Sequence, residues 1–413
     1  MNLSVGYGFQ SNIIESLAKF PEVTEIYGKM HSDIFGGGRW SCTLNYAGPA
    51  QLKKAVSLAH KHHISFNYLL NSADLFGLEQ TISGQKKIRN FLNFLSSIQI
   101  DSVTVASPYL LRLIKKQYPQ FKVRIGAFAQ ISSADQAIQW QQMGADILVI
   151  SAISCNRSFE KLLAIRNSVN CTLELIANSS CLQNCIFEKD HMHLLSRSSC
   201  SSDPLKGFLI DYCFLNCSSR RLIDPVNFIR SCWIRPEDLQ QYEKIGYSNF
   251  KIVERSSPAD LIIKRVKAYS QRSFDGNLLF LIAPVAQISR KLGASKEMRF
   301  RLLTTMFRPD RIKVNSLILI YKYTKYLMSA DFTQPDAPVS IDNKMLDGFL
   351  DEFRRNCSGF CTHCSFCSKI TEKVVKIDKN YSDSIISIAR KLDSSVIDST
   401  LWLSPPKSRR VYE

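Results

Sequence analysis

The sequence predicts an α/β chain, a TIM-type (β/α)8 barrel with a cysteine-bearing insertion after strand seven and a smaller, mostly helical C-terminal region. Three observations predict it. Eight short runs rich in β-branched and aromatic residues alternate with stretches of helical period. A polar, cysteine-rich stretch from Cys181 to Arg235 breaks that alternation between the seventh and eighth runs. Beyond Ser256 the apolar spacing turns helical.

The expected strands are Leu3 to Tyr7, Val23 to Gly28, Ile64 to Asn71, Ser102 to Ser107, Val123 to Phe128, Ala145 to Ser151, Thr172 to Asn178 and Phe250 to Arg255. Between them, Gln51 to His62 sets Leu52, Ala55, Val56 and Ala59 on one helical face, and Tyr109 to Tyr118 follows a Pro108 start. Eight such units close a parallel barrel of about 250 residues. The domain reading is a barrel over 1–270, a helical extension and linker over 271–340, and a cysteine-cluster region with a basic tail over 341–413. In the extension, Ala259 to Tyr269 and Val314 to Met328 carry helical apolar spacing. Asp331 to Val339, with Pro335 and Pro338, reads as linker, and Ser404 to Arg410 as a disordered tail.

The longest apolar runs, Leu278 to Ile282 and Leu317 to Tyr321, fall far short of the roughly 20 residues of a membrane span. The first residues show no basic region ahead of a long apolar stretch, so the expected location is cytoplasmic, with no membrane partner. Thirteen cysteines in a chain of 413 residues, mostly in two places, point to reduced metal-binding thiols rather than a disulfide scaffold. The 53 basic against 36 acidic residues give a formal charge of +17, which makes RNA a candidate partner; a solvated basic surface is the plainer reading.

Two Cys-x3-Cys pairs, Cys181/Cys185 and Cys213/Cys217, are the first choice for a four-thiolate metal site, with Cys232 able to replace one of them and Cys200 in reserve. A second group, Cys357, Cys361, Cys364 and Cys367, sets four thiols in eleven residues with the two successive x2 intervals of ferredoxin-like loops. The expected cofactor is a 4Fe-4S cluster in the barrel region and a second near the C-terminus. Zinc is the alternative at both, with His363 then a competing ligand. Cys42, Cys155 and Cys171 stand alone and read as small core residues.

In a TIM-type barrel the site lies at the carboxyl ends of the strands. After strand two, Gly36, Gly37 and Gly38 before Arg39 form a candidate cofactor- or substrate-binding turn. Its backbone N–H groups would face an anion and the guanidinium would grip carboxylate or phosphate; a flexible turn with a surface arginine is the alternative. Asn67 and Asn71 put amides at the rim of strand three, where they equally cap a turn. Glu174, a carboxylate inside an apolar strand, is either a working lumen acid or half of a structural ion pair. His191 is the second candidate proton carrier, and Arg39 completes the candidate catalytic set.

At Asn178 to Cys185, Trp233 to Leu239 and Phe250 to Arg255 the sequence resembles the peptidase U32 family, also called collagenase-like proteases; the Gly36 to Arg39 turn and Phe66-Asn67-Tyr68 resemble one subgroup of it. The likeness spans roughly residues 1 to 270. It implies a TIM-type barrel, an iron–sulfur centre held by cysteines of this region, and oxygen-independent hydroxylation of ubiquinone precursors or RNA pyrimidines, beside an older protease label. It carries over Cys181, Cys185, Cys213, Cys217 and Cys232 as ligands, and implies an electron-donor protein and a hetero-oligomer with another U32-type chain. The tight Cys-x3-Cys spacing and the C-terminal four-cysteine loop depart from the family pattern.

Four functions follow. The first is an iron–sulfur enzyme binding substrate near Gly36 to Arg39, with the Cys357 to Cys367 group as relay. The second is a U32-type peptidase, although no Ser/His/Asp order or His-Glu-x-x-His motif is visible and ligated cysteines cannot be nucleophiles. The third is RNA binding or modification, and the fourth a metal-stabilised partner-binding protein.

Overall fold

The computed structural model describes residues 1–39, 43–203, 207–282, 304, 307–308, 310–330, 332, 334–357, 359, 361 and 363–403. Trp40, Ser41 and Cys42 beside the glycine turn, Ser358, Phe360 and Thr362 of the C-terminal loop, and the tail from Ser404 lie outside the described residues.

Eight parallel strands close a barrel: β1 (Asn2–Gly6), β2 (Val23–Gly28), β3 (Ser65–Leu70), β4 (Ser102–Val105), β5 (Lys122–Ile125), β6 (Ile147–Val149), β7 (Thr172–Ile176) and β8 (Asn249–Ile252). β8 returns to β1, with Leu3 beside Phe250 and Val5 beside Ile252. Successive strand residues face opposite ways, and the two faces differ sharply here. One face carries Leu3, Val5, Ile26, Phe66, Leu70, Val103, Val123, Leu148, Leu175 and Phe250, all buried in the main hydrophobic core. The helices Pro49–Lys61, Ile82–Ser97 and Pro108–Gln117 bury Leu52, Val56, Ile88, Leu92, Leu111 and Ile114 in that same core.

The lumen is polar, where parallel barrels usually pack Val, Ile and Leu. Glu25 accepts from Ser4 Oγ (2.6 Å), Ser102 Oγ (3.1 Å) and Arg124 Nη1. Asn67 Nδ2 donates to Ser102 Oγ and Thr104 Oγ1 to Asn67 Oδ1, both at 2.6 Å. Arg124 Nε lies 3.4 Å from Glu174 Oε2, and Lys251 Nζ lies 3.9 Å from the same oxygen. Lys251 also sits 3.8 Å over the Tyr27 ring. Glu25, Arg124, Glu174 and Lys251 are each at most 8% exposed, so their mutual pairing is what lets these strands bury them.

Between β7 and β8 runs the insertion, with helices Glu188–Ser198, Tyr212–Ile223, Val226–Arg230 and Leu239–Glu243. Beyond β8, helices Ala259–Gln271 and Val314–Ser329 are followed by a two-stranded antiparallel sheet of β9 (Val339–Ile341) and β10 (Val375–Ile377). β9 occupies the end of the expected linker, and its Val339 and Ile341 join the main core with Phe349, Phe353 and Val374. Arg235, 1% exposed, fastens this region to the insertion: its guanidinium grips Asp238 at 3.0 and 3.1 Å and reaches Asn343 O at 2.8 Å and Asp347 Oδ1 at 3.1 Å. A second, smaller core joins Leu215 of the insertion to Ile385, Ala389 and Leu392 of the terminal helix Lys379–Ile397. No helix among the described residues is long and apolar enough to cross a membrane.

Burial alone would raise the Glu25 pKa, but Arg124 and Ser4 outweigh it and hold the carboxyl below the usual range. The stability Glu25 contributes is therefore complete above the unfolded carboxyl value of about 4.3 and is lost as pH falls through the lower folded value. Arg124→Met, which leaves two buried carboxylates facing Lys251 alone, is expected to cost about 3–5 kcal/mol in urea unfolding near neutral pH. The loss shrinks in acid, as the Glu25 carboxyl takes up its proton.

Candidate functional site

The carboxyl end of β2 leads into a turn held from inside. Asp33 Oδ1 accepts from Lys29 Nζ (3.0 Å), Phe35 N and Gly36 N (both 2.9 Å), while Tyr68 Oη donates to Asp33 Oδ2 at 2.6 Å. Gly36, Gly37 and Gly38 follow with φ of 67°, 110° and 83°, a left-handed run that only glycine adopts without strain. A Cβ on Gly36 would stand 2.0 Å from Ser196 O, so the turn lies directly on the insertion helix Glu188–Ser198. Gly37 N donates to Ser196 O at 2.9 Å, and Ser198 Oγ to Arg39 O at 2.8 Å. The expectation of three glycine amides facing a ligand is corrected here: those of Gly36 and Gly37 are bonded within the protein. Arg39 does form a fork, but with the chain's own Glu254, Nε to Oε1 at 3.0 Å and Nη2 to Oε2 at 2.9 Å.

Glu254 and Arg255 lie just past β8. Glu254 has φ 108°, a left-side conformation costly for a residue with a Cβ, and is held there by Arg39 and by Ser256 Oγ at 2.6 Å. Burial alone would raise its pKa, yet these partners lower it. Arg255, 3% exposed, has no hydrogen bond or ion pair for its guanidinium among the described residues, and its Nη2 is fully enclosed. Burial first, then Arg39, pulls its pKa down to about 10. Below them, burial draws Lys251 to about 8 against the opposing pull of Glu174.

Glu174 stands in the lumen between Arg124 and Lys251. His191, on the insertion helix, pairs through Nε2 with Asp211 Oδ2 at 2.9 Å; the other Asp211 oxygen accepts from Phe214 N and caps the helix Tyr212–Ile223. Among the described residues no contact joins Glu174, His191 and Arg39.

Cys181 and Cys185 lie in the loop after β7, and Cys213 and Cys217 share one face of the helix Tyr212–Ile223 at i,i+4 spacing. Cys232 N reaches Cys181 O at 3.4 Å, and Cys232 Sγ lies 3.3 Å from Ser179 Oγ. Burial first, then neighbouring thiols and acids, pushes Cys213 up to about 12, Cys217 to about 11 and Cys232 to about 12. Cys217 feels both Cys181 and Cys185, Cys213 feels Cys185 and Cys217, and Cys232 feels Cys181. Cys200 is elsewhere, packed on the glycine turn with Sγ 3.6 Å from Ile34 O, and so leaves the candidate set. Cys155 is buried, with Sγ 3.8 Å from Ser132 O, and Cys171 is partly buried.

Cys357, Cys361, Cys364 and Cys367 line a single cavity, and its wall includes Gln183, from between Cys181 and Cys185, and Arg230. The two cysteine groups are therefore neighbours. Arg157, which follows β6, has its pKa lowered by burial, against the opposing pull of Tyr242 and Asp238 and then of Cys232 and Cys367, one from each cysteine group; its guanidinium lies 4.1 Å over Trp233 and 5.0 Å over Phe349. All three of its guanidinium nitrogens are buried without a hydrogen-bond partner, as is Arg230 Nε. Among the described residues no three His, Cys, Asp or Glu side chains close on one point as single-ion ligands. The donor set is all thiol, and the enclosed cations beside it suit an anionic thiolate-ligated centre.

Arg157, Lys251, Arg255 and Asn71 Oδ1, the last also enclosed without a partner, matter more than their sequence context shows. Lys251 and Arg255 carried a readable signal, a charge inside or just past an apolar strand, the same signal that singles out Glu174. Arg157 carried none.

Known proteins supply the last observation. A curated relative described as uncharacterized protease MJ1657, from Methanocaldococcus jannaschii, is 26% identical over 370 residues, covering 88% of this chain and 95% of its own. The solved U32 peptidase Mk0906 aligns with a TM-score of 0.45 at 17% identity, over 62% of this chain and 93% of its own. A 3-hexulose-6-phosphate synthase aligns with a TM-score of 0.32 at 11% identity, over 66% and 100%. The model of peptidase family U32 matches residues 36–186, from the glycine turn through Cys181 and Cys185.

Proposed function

We propose that this chain is a U32-family enzyme that binds its substrate at the barrel mouth and holds iron–sulfur centres with its two cysteine groups, for an oxygen-independent, hydroxylation-type modification of a small molecule, peptide or RNA. The observation that carries it is Arg157, a buried guanidinium with no hydrogen-bond partner that feels one cysteine of each group, Cys232 and Cys367. An unpaired buried cation is costly. A centre of four thiolates is anionic and supplies the missing charge.

Cys181, Cys185, Cys213, Cys217 and Cys232 offer more thiols than one such centre needs, and the Cys357 to Cys367 group forms the second. When bound, such centres supply one-electron chemistry. The chain's own residues do the rest. Arg157 and Arg230 neutralise the thiolates. The Arg39–Glu254 pair and the Gly36 to Arg39 turn shape the mouth. Lys251, beside Glu174 and at a pKa near neutrality, can hold or release a proton in the lumen. The reading calls for an electron-donor protein, and it leaves room for a second U32-type chain and for RNA on a chain of charge +17.

The family label favours a peptidase as the second reading. The buried thiols work against it: those of Cys213, Cys217 and Cys232 are held protonated and are poor nucleophiles at neutral pH. His60 and His191 each pair with a carboxylate, Asp101 and Asp211, but neither holds a serine or cysteine among the described residues.

Anaerobic purification with iron, sulfide and zinc analysis is expected to give about eight irons for two four-iron centres, with Cys181→Ala and Cys364→Ala each losing about half. Zinc without sulfide would return the protein to the peptidase or partner-binding readings. Arg157→Met is expected to leave the metal-free protein equally or more stable in a thermal melt, because it removes an unpaired buried charge. The same change should speed loss of the metal to a chelator; an unchanged rate would remove Arg157 from the centre.

A further inference from the structure

The charges of the mouth and lumen pair off in sequence. Lys29 meets Asp33, Arg39 meets Glu254, Arg124 meets Glu25, and Lys251 meets Glu174. Arg265, the remaining buried cation nearby, donates to Phe280 O at 3.0 Å and Ser257 Oγ at 3.3 Å. Arg255 is left over. Its backbone is fixed, since its carbonyl accepts from Gln10 Nε2 at 2.8 Å, and its side chain runs past Gly6 towards Gly38. A Cβ on Gly38 would lie 3.3 Å from Arg255 Nη2, 3.5 Å from Asn71 Nδ2 and 3.6 Å from Asn71 Oδ1. The turn at Gly38 is thus flanked by a buried donor and a buried acceptor, Arg255 Nη2 and Asn71 Oδ1, neither of which has a partner.

We propose that Arg255 and Asn71 form a substrate subsite at the barrel mouth for a small monocarboxylic acid that carries a hydroxyl or N–H donor beside its carboxylate. The guanidinium fork matches a carboxylate and the Asn71 carbonyl takes the neighbouring hydrogen. One uncompensated cation matches one negative charge; a phosphate dianion would leave a surplus negative charge in a closed site. Glu254 is tied to Arg39 in its strained conformation and makes no ion pair with Arg255 among the described residues.

This assignment rests on the mouth being the substrate end of the barrel, and is independent of the metal. The test is ligand-observed NMR titration of the purified full-length protein with lactate, propionate and inorganic phosphate, on the same anaerobic preparation used for metal analysis. Lactate is expected to bind, propionate more weakly for want of the hydroxyl, and phosphate weakest. Arg255→Lys, which keeps the charge but loses the fork, should weaken lactate binding by about tenfold or more. Asn71→Asp places a carboxylate against Arg255; it should abolish lactate binding and raise the melting temperature, which also shows that the variant is folded. No lactate binding to the wild type, phosphate binding tighter than lactate, or lactate binding unchanged in both variants would each overturn the subsite. Iron present without lactate binding sinks this inference alone, and lactate binding on a protein bearing zinc without sulfide sinks the redox reading alone.

Discussion

Parallel strands can close around charged side chains only where each charge meets its opposite inside the ring. Glu25, Arg124, Glu174 and Lys251 come from four different strands, and they are buried together. Desolvation of any one is tolerable because the others surround it, and the hydroxyls of Ser4 and Ser102 satisfy the oxygens that the cations do not reach. The apolar residues that alternate with them turn outward and seat the helices, so one alternation of residue type yields both a charged lumen and an apolar outer core. The pairing continues upward through Lys29 with Asp33 and Arg39 with Glu254. Among the described residues, Arg255 in the mouth and Arg157 between the cysteine groups stand outside this pairing, and both are enclosed guanidinium groups without a hydrogen-bond partner on their buried nitrogens. Where a buried guanidinium meets no partner in the chain, its desolvation goes uncompensated.

The strands were legible because a short β-branched run with period-two alternation suits a pleated strand and little else: all eight expected runs became barrel strands. The two cysteine groups were legible as spacing. What spacing does not carry is the neighbour across the fold. Glu174 stood out as a charge in an apolar run, but nothing local names Arg124 as its partner, some fifty residues earlier, or Lys251 much later. The glycine turn was visible as a turn, whereas the direction of its amides depends on Ser196, far along the chain. Cys200 falls between the two cysteine pairs in sequence, yet it packs on the Ile34 carbonyl because the helix Glu188–Ser198 carries it back to the glycine turn. Arg157, after β6, has no local pattern to distinguish it from any surface arginine; only the closing of Trp233, Phe349 and two cysteine groups around it does so.

The C-terminal region shows the same limit from the other side. Its four cysteines suggested a separate cluster module at the end of a linker, but Arg235 and the Phe349 ring, 5.7 Å from Trp233, join it to the insertion. The cavity lined by its thiols is completed by Gln183 and Arg230, which belong to the insertion. That cavity is lined from both regions, so the C-terminal segment forms part of its wall.

The insertion also ties the cysteines to the mouth. The helix Glu188–Ser198 begins three residues after Cys185, and its last turn docks on Gly36, Gly37 and Arg39 through Ser196, Ser198 and Ser199. The contact is close, because a Cβ on Gly36 would overlap Ser196 O, and it is directional, because two backbone amides of the turn are fixed within the protein. One helix therefore sets the position of the thiols at its start and the shape of the turn beside Arg255 at its end. A barrel mouth built only from short strand-to-helix loops would leave those two distances to separate loops. Here eleven residues of helix fix both, which is a physical reason for so long an insertion to sit after β7 and nowhere else in the barrel.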